Sequence, residues 1–231
     1  MGSINLNNTG SGSAVTLSSD GSSLLLNGSA IGGGGDPDLY AANESSPAAQ
    51  PSATGANAVA IGDSAKASGQ DSVALSKSLA SGRQSFAAAL TSNSSSYGAQ
   101  GYHSVALGER SKATGYGAIA LSYGTATADA SFAINTQNSG YASAANSFAV
   151  GPNCQASANP SIAMGSSSEA KAGASVALGQ SAKVISTGNG STAFGIDSSA
   201  AIASKQVFGG RKFSADGDCQ SGTTVLKAVT T

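Results

Sequence analysis

The sequence predicts an all-β protein, a parallel β-roll of about ten coils of ~14 residues preceded by a small β segment. Three observations predict it. A five-residue phrase (small, bulky apolar, Ala, bulky apolar, small) returns ten times, from Ala58-Val59-Ala60-Ile61-Gly62 through Ser175-Val176-Ala177-Leu178-Gly179 to a degenerate copy at Ser191. Successive copies lie 14, 13, 19, 14, 13, 16, 14, 14 and 16 residues apart, too short for a helical hairpin or a propeller blade and right for one solenoid turn. Within each phrase the side chains alternate with a period of two, as on a strand.

The N-terminal segment, residues 1–31, reads as three short strands: Ile4 with Leu6, Ala14-Val15-Thr16-Leu17, and Leu24-Leu25-Leu26. Turn-forming runs such as Ser18-Ser19-Asp20-Gly21 separate them. Three short strands bury too little to stand alone, so symmetry mates or a docking partner are expected to complete them. Residues 32–52 open with four glycines, Gly32 to Gly35, and continue through Pro37, Pro47 and Pro51. That composition is a linker. The repeat array occupies 53–210, and a C-terminal β segment fills 211–231.

Each coil of the array needs two strands. The phrase strand places bulky residues at alternate positions, as in Val59/Ile61, Val73/Leu75, Val105/Leu107, Ile119/Leu121, Phe132/Ile134, Phe148/Val150, Ile162/Met164 and Val176/Leu178. These pairs are expected to point inward. The Ala between them, as at Ala60, Ala74, Ala106, Ala120, Ala133, Ala149, Ala163 and Ala177, would then face outward, where another subunit's backbone approaches closely. A second, Ala-rich strand such as Ala65-Lys66-Ala67-Ser68-Gly69 completes the coil. Glycines at 62, 69, 108, 115, 151, 165, 179 and 195 are expected to supply positive φ at the turns. One bulky pair per coil makes a thin core, so self-association is the expected source of further stability.

Composition narrows the function. The net charge of −1 leaves no electrostatic footprint for nucleic acid. The start, Met1-Gly2-Ser3-Ile4, lacks the basic and apolar regions of a secretory signal, and no apolar run is long enough for membrane insertion. Cys154 and Cys219 show no C-x-x-C spacing and are expected as free thiols. No catalytic residue, metal site or cofactor is predicted: there is no G-x-S-x-G, and the carboxylates at Asp63, Asp71, Glu109, Asp129, Glu169 and Asp197 are scattered as solvated turn residues. The chain is therefore expected not to be an enzyme. His103, the one histidine, would hold an ion only if several copies met on a symmetry axis, and an exposed turn is expected instead.

One stretch departs from the pattern. Residues 91–141 hold the longest period and five of the six tyrosines, among them Tyr97, Tyr102, Tyr116 and Tyr123. Tyr102 and Tyr116 precede their phrases by the same offset, so they are expected to stack on adjacent coils with His103 beside them. Tyrosine offers a flat apolar face and a hydroxyl, so Tyr97, Tyr102, His103, Tyr116 and Tyr123 are candidate receptor-binding residues. The other reading is that they cover coil turns or fill a seam between subunits.

The run Ala53-Thr54-Gly55-Ala56-Asn57-Ala58-Val59-Ala60-Ile61-Gly62-Asp63-Ser64-Ala65-Lys66-Ala67-Ser68-Gly69 resembles the head repeat of YadA-type trimeric adhesins. The resemblance implies a left-handed parallel β-roll and a homotrimer, which makes the Ala column the expected trimer interface. The flanks resemble another setting. Leu6-Asn7-Asn8-Thr9-Gly10-Ser11-Gly12-Ser13-Ala14-Val15-Thr16-Leu17 is similar to the N-terminal segment of tail fibre proteins of tailed phages, cyanophages included. Phe213-Ser214-Ala215-Asp216-Gly217-Asp218-Cys219-Gln220 is similar to a segment of phage tail proteins. No signal peptide, coiled-coil stalk or membrane anchor is recognised, which favours the fibre. These resemblances imply a virion tail protein assembled in the host cytoplasm, attached to other tail or capsid proteins through residues 1–52 and facing a host-surface glycan or protein. The alternatives are the head of a bacterial trimeric autotransporter adhesin, a capsid-surface decoration and, in a third class, a fibre that cleaves glycans.

Overall fold

The computed structural model describes residues 4–6, 15–19, 24–26, 29–30, 50–135, 140–211, 214–215 and 220–224. All regular structure among them is β. The chain divides into two units, Met1–Glu44 and Ser45–Thr231. Most of the expected linker, together with Phe213 and Cys219, lies outside the described residues.

The first unit is an antiparallel sheet of four strands in sequence order: Ile4–Leu6, Val15–Ser19, Leu24–Leu26 and Ser29–Ala30. Ile4 pairs with Leu17, Leu17 with Leu26, and Leu26 with Ser29. The short fourth strand was not among those expected from the sequence.

The second unit is a parallel β-solenoid of about eleven turns. Its phrase sheet runs from Val59–Ile61 to Lys205–Gly210 in parallel, and an antiparallel strand, Gln220–Thr224, closes the C-terminal edge. A companion sheet of eleven two-residue strands runs from Ser52–Ala53 to Ser199–Ala200. The register keeps every phrase aligned: Ala106 pairs with Ala120, Ala120 with Ala133, and Phe132 with Phe148. The eleventh coil is the one the phrase search missed, because Val207 stands there where the others carry Ala, opposite Ala193.

The interior is the reverse of the expectation. Ala74, Ala106, Ala120, Ala133, Ala149, Ala163 and Ala177 are fully buried within a single chain, and only Ala60, in the first coil, is partly covered. A residue with no accessible surface in its own chain cannot form an interface, so the Ala column is the core and not the trimer contact. Its counterpart is the Ala of the companion strands, Ala67, Ala80, Ala113, Ala126, Ala156 and Ala170, equally buried. The companion strands settle the direction. Their alternate residues are Lys66, Lys112, Gln155, Glu169 and Lys183, which require water, so their alanines must face inward. Two alanine layers then set a narrow gap between the sheets, which widens to admit valine at Val184 and Val207 in the last coils. The bulky pairs turn outward: Val59 is 44% exposed, Met164 40% and Phe194 51%.

Serines line the remainder of the interior. Ser72, Ser85 and Ser104 are buried, and each hydroxyl donates to the carbonyl three residues back, on Gly69, Gly82 and Gly101, at 2.7, 2.6 and 2.7 Å. A buried hydroxyl is tolerated because a turn carbonyl satisfies it.

The turn glycines serve two purposes. Gly62 and Gly108 have φ of 95° and 85°, as expected. Gly69 and Gly115 have no positive φ; a Cβ on either would sit 2.0 Å from the carbonyl oxygen of the next coil's turn, Gly82 and Ala128. They are glycine because the coils nearly touch there.

Candidate functional site

Two surfaces of the array could meet a partner. The first is the outer face of the phrase sheet, where eight coils carry two bulky apolar side chains at the paired positions and three carry one (Phe86, Phe194 and Phe208), in a continuous stripe from Val59 to Phe208. At the usual strand spacing of about 4.8 Å, eleven coils make it about 50 Å long. Phe132 and Phe148 stack at its middle, with ring centroids 4.8 Å apart and planes 4° from parallel. Monomeric proteins rarely leave an apolar stripe of this length in water. The companion sheet presents mostly Lys, Gln, Glu and Thr, with Leu79 and Tyr141 among them, so the array has one apolar and one mostly polar side.

The second surface is a column of turn residues leading into the phrase strands. The backbone N–H of His103 donates to the Arg83 carbonyl at 2.9 Å, that of Gly117 to Tyr102 at 2.8 Å, and that of Ala130 to Tyr116 at 2.8 Å. These bonds superpose Arg83, Tyr102, Tyr116 and Asp129 on consecutive coils. The rings of Tyr102 and Tyr116 stack with centroids 5.5 Å apart and planes 11° from parallel. His103, held at φ 57°, packs its ring 4.4 Å from Tyr102 and 5.3 Å, edge-on, from Tyr116. The Arg83 guanidinium lies 5.3 Å from the centre of the Tyr102 ring, and its Nη1 donates to the Tyr102 hydroxyl. At the other end the Asp129 Oδ1 accepts the Tyr116 backbone N–H at 2.9 Å. The column thus runs cation, ring, ring, carboxylate.

The structure separates the five candidate receptor-binding residues. Tyr102, His103 and Tyr116 come together. Tyr97 and Tyr123 stand on the opposite turns, which lead out of the phrase strands: Tyr97 in the long inserted turn before Gly98–Ala99, and Tyr123 between Ile119–Leu121 and Thr125–Ala126. The Tyr123 hydroxyl is hydrogen-bonded to the Glu109 carboxylate, which raises its pKa, with burial and the negative charge adding to the effect. Arg83 and Asp129 were missed in the sequence, although a signal existed. Each stands three residues before the first bulky residue of its phrase, as Tyr102 and Tyr116 do. Among the described residues no three metal-ligating side chains gather. Cys154 is buried among the interior serines, its Sγ 2.9 Å from the Ala163 carbonyl and 3.1 Å from the Ser168 hydroxyl.

The family of the YadA head domain repeat matches the chain over residues 53–75, 99–121 and 156–182, three stretches inside the array. The chain therefore carries head repeats of the YadA type. No curated protein matches the chain.

Proposed function

We propose that this chain is a homotrimeric, adhesin-like structural protein whose head-type repeats project from a surface, and that the surface is the tail of a phage particle. The apolar stripe on the phrase sheet carries the proposal. Fully burying a Val, Leu, Ile or Phe side chain is worth about 1.5–3 kcal/mol. A third of that for each half-covered side chain, two in eight coils and one in the other three, is comparable to the roughly 4–15 kcal/mol that association costs. The YadA-type head repeat supports three as the number of subunits, and the resemblance of the flanks to tail proteins supports the setting. In this reading residues 1–52 attach the trimer to the particle, and the array, structural and not catalytic, reaches toward the host surface. The same repeats build the heads of bacterial surface adhesins, which is the second reading.

Sedimentation equilibrium of the purified chain tests the assembly. Wild type should sediment as a trimer, and a Leu107→Glu/Leu121→Glu double variant as a monomer with its β circular dichroism retained. A monomeric wild type at micromolar concentration would sink the proposal. Gold-labelled antibody on intact particles and on cells then separates tail fibre from bacterial adhesin.

A further inference from the structure

We propose that the Tyr116 end of the turn column is a carbohydrate subsite, and that it takes a neutral pyranose unit of a surface glycan. The stack gives it direction. Tyr102 has Arg83 on one side and Tyr116 on the other, so its ring is spent within the column. Tyr116 gives one ring face to Tyr102. The other is turned toward the coil of Thr127-Ala128-Asp129-Ala130, whose side chains are short, and Tyr116 remains 57% exposed. The space beside it is open as well: a Cβ on Gly117 would meet nothing within 4 Å. His103 braces the Tyr116 ring, with centroids 5.3 Å apart and planes 67° from parallel.

An open, braced aromatic face suits the apolar C–H face of a pyranose ring, and the groups beside it suit the hydroxyls on that ring's rim. Asp129 is exposed with one carboxylate oxygen on the Tyr116 N–H, leaving the second to accept from a sugar hydroxyl. One coil further, the Asn146 backbone N–H donates to the Asp129 carbonyl at 2.9 Å, which places the small Ala145 next in the column and Asn146 at the offset of His103, its exposed side-chain amide donating to Asn159 Oδ1 at 3.4 Å. Aromatic face and carboxylate then follow one another on adjacent coils, about 4.8 Å apart, at about the length of a sugar ring. Charge chooses the class. The nearest charge is the Asp129 carboxylate, which repels carboxylated or sulfated sugars, while Arg83 is engaged two coils away on Tyr102.

This assigns a ligand to the adhesive reading and rests on it only for the biological setting. Saturation-transfer NMR and calorimetric titration of the full chain would use maltotetraose, cellotetraose and mannotetraose as neutral probes and a chondroitin sulfate tetrasaccharide as the acidic one. At least one neutral probe should bind and the acidic one should not. Tyr116→Ala should weaken binding roughly tenfold or more, Tyr116→Phe should keep most of it, and Asp129→Asn should weaken it by a smaller factor. Sedimentation of Tyr116→Ala should match wild type. Binding of the acidic probe alone, no binding of any probe, or an unchanged affinity in Tyr116→Ala overturns the proposal. So does dissociation of Tyr116→Ala, which would make the column a contact between subunits. A wild-type chain that binds a neutral probe as a monomer overturns the trimeric reading and leaves the subsite standing.

Discussion

At the scale of the residue, alanine is the largest side chain most of the interior accepts. Ala120 has alanines beside it in register, Ala106 and Ala133, and no accessible surface. Ala120→Leu should therefore cost about 1–3 kcal/mol through overpacking. For a chain of this size each kcal/mol is about 2–4 °C in Tm, so thermal melts will show it, while sedimentation of the folded protein stays unchanged. Had the column faced a neighbour, assembly would have failed first. Cys154 gives a second test. It occupies the interior position of Ser111 and Ser168, and burial raises its pKa against the opposing hydrogen bond from Ser168. A raised thiol pKa favours the protonated form in the folded state. Its contribution is complete below the ordinary thiol range and is lost as pH rises through the folded value. Melts at pH 7 and pH 10 should show a larger fall for wild type than for Cys154→Ser, in which a hydroxyl joins the serine ladder.

At the scale of the element, most of the solenoid was legible in the sequence. The period located every coil from Val59 to Thr192, because each phrase needs its bulky, Ala, bulky alternation to pair in register. Which side was inner was not legible from the phrase alone. A period of two defines two faces and labels neither. The label was in the companion strand, where Lys66-Ala67 and Glu169-Ala170 leave alanine the only candidate for the interior. Reading one strand of a two-strand coil inverted the core. The tyrosine stack was visible for the opposite reason: equal offset from the phrase is a statement about register, and register does not depend on which face is buried. The turns make a further prediction. A Cβ on Gly101 would lie 2.0 Å from the Gly115 carbonyl oxygen, so Gly101→Ala must push two coils apart and should lower Tm well beyond an exposed Gly→Ala change. A melt indistinguishable from wild type would show that the coils have slack there.

At the scale of the whole array, one side is mostly polar and one apolar, and each parallel strand pairs only with those of the adjacent coils. Coil number can therefore change without altering the chemistry of either side. The inserted turn at 89–97 shows this locally: Leu90 is buried beneath it, Asn93 Nδ2 donates to the Ser64 carbonyl, and Phe86 still pairs with Val105 in register. Assembly should behave in the same graded way. Substituting one apolar pair near the end, Phe194→Ser with Phe208→Ser, should weaken self-association less than Leu107→Glu/Leu121→Glu at the middle, as dissociation constants from sedimentation would show.

The ladder bonds of both sheets run along the axis of the array, from one coil to the next. A tether pulling on the two ends loads them in line and one rung at a time, as in a zipper, and not side by side in shear. A single roll should yield by peeling at low force, starting where the end rung is least held. The antiparallel Gln220–Thr224 strand occupies that position at the C-terminal edge, as a latch on the last parallel strand. Three rolls joined along their apolar sides would share the load in parallel, so association would set the tensile strength of the assembly as much as its stability.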